Sequence, residues 1–285
     1  MSIQWYPGHI AKAERQLAEQ LKRVDVVLEV RDARIPLATH HPQTQTWVGS
    51  KSRVLVINRL DMIPAGVRQN WEKWFRSQGE TAYFTDAQNG QAVKSVLKAA
   101  QGAGVAINEK RASRGMLPRA VRAVVIGFPN VGKSALINRL LNRRVVESAA
   151  RAGVTRSLRW VRISPEIELL DAPGVIPVKL EDQENAYKLA ICDDIGDASY
   201  ENYLAAVKLI DLMTYVEAIS EGLVSLEKLT SRYEVDPLSV SAEEYVQKVA
   251  SLKFKGDVEK TSKLILTEYR KGILGPIPLE LPPMM

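Results

Sequence analysis

Eight residues near the middle of the chain have the types and spacing needed to bind phosphate. The run from Gly127 to Ser134 reads G-x-x-x-x-G-K-S, with an apolar stretch before it and a helix-like stretch after it. In such a strand–loop–helix unit, backbone N–H groups converge on phosphate oxygens, and the helix dipole favours their negative charge. Lys133 would reach the β- and γ-phosphates, and Ser134 would bind Mg²⁺. The motif predicts a nucleoside triphosphate site that also includes Pro129, Asn130, Val131, Gly132 and Ala135.

A second motif has the side chains needed to select the base. Asn58-Arg59-Leu60-Asp61 follows an apolar run and resembles the guanine-reading N-K-x-D element, with Arg59 in place of Lys. The Asp61 carboxylate can accept from both the ring N–H and the exocyclic amine of guanine, a pair that adenine does not offer. Asn58 would hold the neighbouring loop backbone, and Arg59 would cover the face of the base. The motif favours GTP over ATP, although an Asn/Asp turn is also an ordinary way to end a strand.

A third motif would bind Mg²⁺ and respond to the γ-phosphate. Asp171-Ala172-Pro173-Gly174 follows another apolar run and matches D-x-x-G. Asp171 would contact Mg²⁺ through water, and the Gly174 N–H would sense the γ-phosphate and move when it leaves. Thr155 lies between the P-loop and D-x-x-G, and we expect it to be a further Mg²⁺ ligand on a mobile loop.

The order of these motifs is unusual, because the base-reading element stands before the P-loop and ordinary GTPases have the reverse order. Thr85-Asp86-Ala87 follows the base-reading element, where GTPases place a short guanine-contacting loop, and this position predicts nucleotide contacts from Asp86 and Ala87. A circular permutation explains the order. The ends of a domain lie on its surface and are often close, so joining them and cutting elsewhere preserves the sheet. Residues 101–122 would be the joining linker.

With these motifs in this order, the chain resembles the circularly permuted GTPases, and closely the bacterial ribosome biogenesis GTPase A (YlqF-type) family. The resemblance extends to Gln4–Ala13 with its Pro7-Gly8-His9 element, to Arg31–Pro36 and to Asp257–Gly275. It implies an α/β fold with a mostly parallel, doubly wound sheet over residues 1–184, followed by a smaller all-helical, RNA-binding domain over residues 185–285. It also implies GTP or GDP and Mg²⁺ as ligands, with the large ribosomal subunit, its rRNA and its proteins as partners.

The residues that would drive hydrolysis depart from the ordinary pattern. Many GTPases place a Gln directly after D-x-x-G to orient the attacking water, but here Val175 and Ile176 follow. The resemblance suggests His9 as the group that positions this water, since a His can do so near neutral pH; the alternative is a structural His in a turn. In related GTPases an Asn at the P-loop position of Asn130 is linked to K⁺, which supplies part of the charge of an arginine finger. The alternative is that Asn130 is merely a tolerated loop residue.

The composition is that of an ordinary globular protein, with 285 residues, 46% hydrophobic and 25% charged. Strand-like runs occur only before about residue 185, and helical spacing follows. The single cysteine, Cys192, excludes an internal disulfide and is expected to be a buried thiol. No apolar run approaches the roughly 18 residues of a membrane span. We expect a cytoplasmic monomer without a membrane partner, and a loose Pro-rich tail after residue 275.

Basic charge is concentrated in one region of the chain. The net charge is +6, and residues 101–160 contain twelve Lys and Arg against two Glu. Such a field attracts polyanions, which favours RNA contact; the alternative is a set of solvated cations.

The leading hypothesis is a GTPase that binds the maturing large subunit and leaves it on hydrolysis. One alternative is a nucleotide-binding RNA scaffold with little turnover, which Val175 permits. The other is an ATP-dependent P-loop enzyme such as a small-molecule kinase, which the base-reading element disfavours.

Overall fold

The computed structural model describes residues 17–141, 159–171, 182–196 and 199–284. Its strands are β1 (Val26–Asp32), β2 (Ser52–Asn58), β3 (Ala82–Thr85), β4 (Val121–Ile126), β5 (Arg159–Ser164) and β6 (Ile167–Asp171). Its helices are α1 (Thr44–Val48), α2 (Ala65–Ser77), α3 (Val93–Ala112), α4 (Lys133–Leu140), α5 (Gln183–Ile191), α6 (Asn202–Ile219), α7 (Glu227–Tyr233), α8 (Ala242–Phe254) and α9 (Val258–Arg270).

The described strands form a sheet in the order β3-β2-β1-β4-β6-β5. Its neighbouring pairs are parallel except β5 with β6, which is an antiparallel pair at the sheet edge. The prediction of a mostly parallel, doubly wound sheet is therefore confirmed. The strand order reverses beside β1 and β4, and in open α/β sheets ligands bind at the carboxyl ends of strands near such a point.

Apolar side chains on both faces of the sheet are buried, which explains the uninterrupted apolar runs in the sequence. One face packs in the large core that continues into the later helices, and its members from β1 are Val26, Leu28 and Val30. The opposite face carries a smaller cluster, formed by Leu17, Leu21, Val24, Val27, Trp47, Val124, Ile126 and Leu170. The strands are thus packed from both sides, and this packing fixes the points at which the following loops begin.

Half of the predicted linker is helical, contrary to the sequence analysis. Helix α3 continues to Ala112 before the chain crosses to β4. Its buried residues Val96, Ala100 and Gly104 recur every four positions and face the core. Gly104 allows close packing, since a Cβ there would overlap with Cγ2 of Val121. The first part of the predicted linker is therefore a packed helix.

Among the described residues after β6, the regular elements are all helices, and α9 packs against α6 and α8. Cys192 is a buried free thiol, as predicted. The expectation of a loose tail is wrong. Leu279 N donates to the Arg34 carbonyl over 2.9 Å, and the buried Glu280 carboxylate accepts from the backbone N–H groups of Leu37 and Ala38. Within the described ranges, no helix has the length and apolar character required to cross a membrane.

Two glycines of α3 offer a matched test of this packing. Gly104→Ala should destabilise the protein by about 1–2 kcal/mol because the new methyl group collides with Val121. Gly102→Ala should stabilise it by about 0.5–1 kcal/mol, because none of the described residues lies within 4 Å of its Cβ position and Ala is the better helix former. Urea unfolding would measure both. Equal effects of the two substitutions would contradict the close contact between α3 and β4.

Candidate nucleotide-binding site

The predicted phosphate-binding loop joins β4 to α4 at the carboxyl edge of the sheet. Two glycines of this loop are required because other atoms lie too close to leave room for a Cβ. A Cβ on Gly127, whose φ is +148°, would overlap with the Val30 carbonyl oxygen. A Cβ on Gly132, whose φ is +98°, would overlap with Asn58 Nδ2. Because α4 begins at Lys133, the first N–H groups of the helix lie at the end of this loop.

Lys133 has its ammonium group inside the loop. Its Nζ donates to the carbonyl oxygens of Phe128 (2.7 Å) and Gly127 (3.2 Å), and the residue is 6% exposed. The loop thus surrounds a positive charge, and the helix N-terminus adds its dipole. This arrangement fits a bound polyphosphate.

Asn58, at the end of β2, connects the phosphate loop to the predicted guanine loop. Its Nδ2 donates to the Val131 carbonyl over 2.9 Å. Its Oδ1 accepts from the Ala87 N–H (3.0 Å) and from Thr85 Oγ1 (3.2 Å). A single buried amide therefore sets the distance between the two loops, as the sequence analysis proposed for Asn58 and neighbouring backbone.

Arg59 lies in the left-handed region at φ +65°, and its guanidinium contacts protein rather than extending freely. Nη2 donates to the Asn130 carbonyl over 2.9 Å, and Nε lies 3.2 Å from Asp32 Oδ2. Leu60 is buried, whereas Asp61 is exposed beside it. Partial burial of its carboxyl group, followed by the nearby charge of Asp86, raises the pKa of Asp61 above its ordinary value.

The Asp86 side chain stabilises its own turn. Its Oδ1 accepts from the backbone N–H groups of Gln88 (2.9 Å) and Asn89 (3.0 Å), and its Oδ2 accepts from Asn89 Nδ2. Arg139 of α4 donates to the carbonyls of Ala87 and Gln88 from the other side. The contacts that Asp86 and Ala87 make to a nucleotide remain predictions, but the loop that carries them is fixed beside Asn58.

The predicted metal and catalytic residues are only partly covered by the described residues. Ser134 lies in the first turn of α4, and Asp171 ends β6, which pairs with β4 immediately before the phosphate loop. These positions fit a Mg²⁺ ion beside bound phosphates. His9, Thr155 and Gly174 lie outside the described residues.

A buried ion pair beneath the site was not predicted as part of it. Asp32 accepts from Arg34 Nε (3.0 Å), Nη2 (2.7 Å) and backbone N–H (2.9 Å). Burial alone would raise the pKa of Asp32, but the Arg34 guanidinium outweighs burial and holds the pKa below its ordinary value. A sequence pattern pointed to this pair, since the charged residues Asp32 and Arg34 end and follow an apolar strand. The residue that links the pair to the site, Arg59, is distant in sequence.

Asp194, which also lies in this buried region, has the opposite character. Both of its carboxyl oxygens are buried without a hydrogen-bond partner among the described residues. Burial, followed by the charge of Asp32, raises the pKa of Asp194 well above its ordinary value. The raised pKa shows that this buried space disfavours a second carboxylate charge beside Asp32, the anionic partner of Arg34.

A P-loop and a base-reading element at one edge of a parallel sheet, encoded in the reverse of the usual order, define a circularly permuted P-loop GTPase. A family model described as "50S ribosome-binding GTPase" matches residues 122–237, which begin at β4 and leave out Asn58. Ribosome biogenesis GTPase A of Bacillus cereus is 36% identical over 99% of this chain and 95% of its own. Its counterpart in Bacillus licheniformis is 34% identical over 99% of both chains.

The chain belongs to the ribosome biogenesis GTPase A family. The fold agrees with that of a solved relative, GNP-bound YlqF from T. maritima, which is 23% identical and has a TM-score of 0.65. That alignment covers 96% of this chain and 100% of the other.

Asn58 can be tested by changing one atom. Asn58→Asp should lower GTP affinity about tenfold or more, because a carboxylate oxygen would replace the Nδ2 donor and face the Val131 carbonyl without a hydrogen bond. Asn108→Asp is a matched control, since that amide likewise bridges backbone groups, the N–H and C=O of Arg119, at the opposite end of β4. The control should lose stability but keep GTP affinity. Titration with a fluorescent GTP analogue and thermal unfolding would separate the two effects; unchanged affinity in Asn58→Asp would contradict the coupling.

Proposed function

We propose that this protein binds and hydrolyses GTP and acts as an assembly factor for the large ribosomal subunit, from which hydrolysis releases it. The observation that carries the proposal is the Asn58 amide, which bonds to the phosphate loop and to the guanine loop at once. Two motifs in reversed sequence order are thereby held side by side, which supports one nucleotide binding across both. Membership of the ribosome biogenesis GTPase A family supports the same function.

The roles of the site residues are assigned from the motifs to which they belong. Asp61 accepts the two N–H groups of guanine, and the loop of Asp86 and Ala87 lies beside it. Lys133 and the first N–H groups of α4 bind the β- and γ-phosphates and stabilise the charge that develops on them. Mg²⁺, when bound, neutralises charge between the phosphates. The residues that hold it or respond to the γ-phosphate are Ser134, Thr155, Asp171 and Gly174.

Hydrolysis itself depends on groups supplied outside the ordinary pattern. Val175 cannot orient water, so intrinsic turnover is slow, and His9 takes that role when the N-terminal element is correctly placed. Asn130 would hold K⁺, which would supply further positive charge near the phosphates. These assignments rest on the resemblance to related GTPases.

The partner is a large RNA-containing particle. Exposed basic residues on α3 and the segment after it include Lys98, Lys110 and Arg114, and they would contact phosphate groups of rRNA. The helical region from 185 to 285 would form the second contact and would move relative to residues 1–184 when the nucleotide changes. The protein would act as a monomer in the cytoplasm, where subunits are assembled.

The second candidate is an RNA scaffold that uses the nucleotide for structure, with little turnover. Val175 permits it, because an apolar side chain follows D-x-x-G where many GTPases have Gln. An ATP-dependent enzyme is disfavoured by the side chains beside the base site.

Asp61 gives a direct test of base selection. Asp61→Asn should lose GTP affinity and gain affinity for xanthosine triphosphate, because the new amide can donate to the C2 oxygen that xanthine carries in place of the amine. GTP affinity of the unmodified protein should also fall with falling pH, starting above the ordinary Asp range, because the raised pKa lets Asp61 protonate sooner. Nucleotide titrations at several pH values would measure both. Unchanged selectivity in Asp61→Asn would place base recognition elsewhere.

The functional proposal is tested by GTP hydrolysis in K⁺ buffer, with and without purified large ribosomal subunits. We expect the subunits to increase turnover at least about tenfold, and His9→Ala to remove most of that increase, because a positioned acid–base group typically contributes about a hundredfold or more. His40→Ala is a control for general effects of removing a His, because His40 pairs with Glu29 on β1. Stimulation that survives His9→Ala would move the catalyst elsewhere. Absence of stimulation in the unmodified protein would favour the scaffold.

A further inference from the structure

The amide group of Asn130 is held by a residue from the helical part of the chain. Asn130 Nδ2 donates to the Asp193 carbonyl oxygen over 2.6 Å and lies 3.3 Å from Asp193 Oδ2. Both partners are acceptors, so the nitrogen of the amide must face Asp193. The amide oxygen consequently points away from Asp193, and it is the atom able to accept or to bind a cation.

Asp193 is itself fixed by the last helix. Its other carboxylate oxygen lies 3.9 Å from Arg270 Nη1. Arg270 also donates to the carbonyls of Ile191 (Nε, 2.9 Å) and Ala190 (Nη2, 2.9 Å), at the end of α5. Asp193 has a φ of +67°, so the turn between α5 and the following segment holds an unfavourable backbone conformation. The contacts of Arg270 stabilise that turn.

The backbone of Asn130 is also held by hydrogen bonding. Its carbonyl accepts from Arg59, Arg59 pairs with Asp32, and Asp32 pairs with Arg34. Arg34 Nη2 lies 3.4 Å from the Cys192 carbonyl, one residue before Asp193. These contacts close a ring that starts at the Asn130 carbonyl and ends at the Asn130 amide.

We propose that Asp193 and Arg270 are positioning residues for hydrolysis: the Asp193 turn, held by Arg270, orients the Asn130 amide so that its oxygen faces the nucleotide side of the P-loop. The proposal deepens the function above and rests on the assigned role of Asn130 beside K⁺. It also makes the C-terminal helices part of the catalytic geometry, because a partner that displaces α9 would release the Asn130 amide.

Two substitutions remove these contacts in different ways. Asp193→Gly keeps the positive φ and the carbonyl but loses the carboxylate, and Arg270→Met keeps the stem but loses every donor. We expect both to lower kcat in K⁺ about fivefold to tenfold, the scale of one lost orienting hydrogen bond, and to raise the K⁺ concentration for half-maximal rate. KM for GTP should change less than about twofold, because Asn58, Asp61 and Lys133 are untouched.

Arg232→Met is the matched control. Arg232 pairs with Glu268 on the same helix as Arg270, so its loss removes an ion pair of α9 without reaching Asp193. It should leave kcat and the K⁺ response unchanged, with thermal unfolding recorded for all variants.

Wild-type kcat and K⁺ response in both Asp193→Gly and Arg270→Met would overturn the proposal, and so would an equal loss in Arg232→Met. If the unmodified protein hydrolyses GTP equally in K⁺ and Na⁺, the potassium role of Asn130 is wrong. The positioning role is then decided by kcat alone: a loss confined to the two variants supports it, and unchanged rates reject it.

Discussion

The buried ion pair between Asp32 and Arg34 is the interaction on which the site depends. Burying two charges costs several kcal/mol each unless the pairing and hydrogen bonding are nearly complete. Here Arg34 donates three hydrogen bonds to one carboxylate, and its guanidinium also lies 5.4 Å from the centre of the Tyr269 ring. Removing one partner of such a pair generally costs about 3–5 kcal/mol, because the other charge stays buried. The pair therefore fixes the end of β1 strongly.

Three distant parts of the chain meet at this pair. Arg59, from the base-reading element, contacts Asp32, while the Cys192 carbonyl accepts from Arg34 and the Leu279 N–H donates to the Arg34 carbonyl. The pKa of Asp194, raised by burial and then by the charge of Asp32, reflects the cost of a second negative charge in the same buried space. The nucleotide site, the end of α5 and the C-terminal tail are thus bound to one centre, and the helices are placed with respect to the P-loop by electrostatics as well as by apolar packing.

The permuted chain order is tolerated because the site is closed through space. The P-loop is joined to the guanine loop by the Asn58 side chain, whose bonds do not depend on which segment comes first in the sequence. Helix α3 forms part of the segment predicted to join the original ends of the GTPase domain, and Gly104 lets it pack tightly on Val121. Permutation changes which segments are adjacent in the chain, while the sheet order and its switch point are kept.

Much of the site could be predicted from sequence because its requirements are local. A positive φ and close approach demand Gly127 and Gly132, and apolar runs mark β2 and β4, which carry Asn58 and the P-loop to one edge of the sheet. The same reasoning from local sequence gave wrong predictions for two segments. The permuted motif order suggested a linker where the packed helix α3 continues, and prolines suggested a loose tail where Glu280 binds backbone N–H groups after β1.

The sequence by itself determined the class of nucleotide site, the alternation of strands and helices and the change to an all-helical region. Only the tertiary structure decided that Asp193 orients toward Asn130, 63 residues away, and that Arg59 bridges Asn130 to Asp32. The reason is physical. Backbone conformation and burial leave a local pattern of residue types, whereas a hydrogen bond between distant segments depends on where the whole fold brings one donor and one acceptor together.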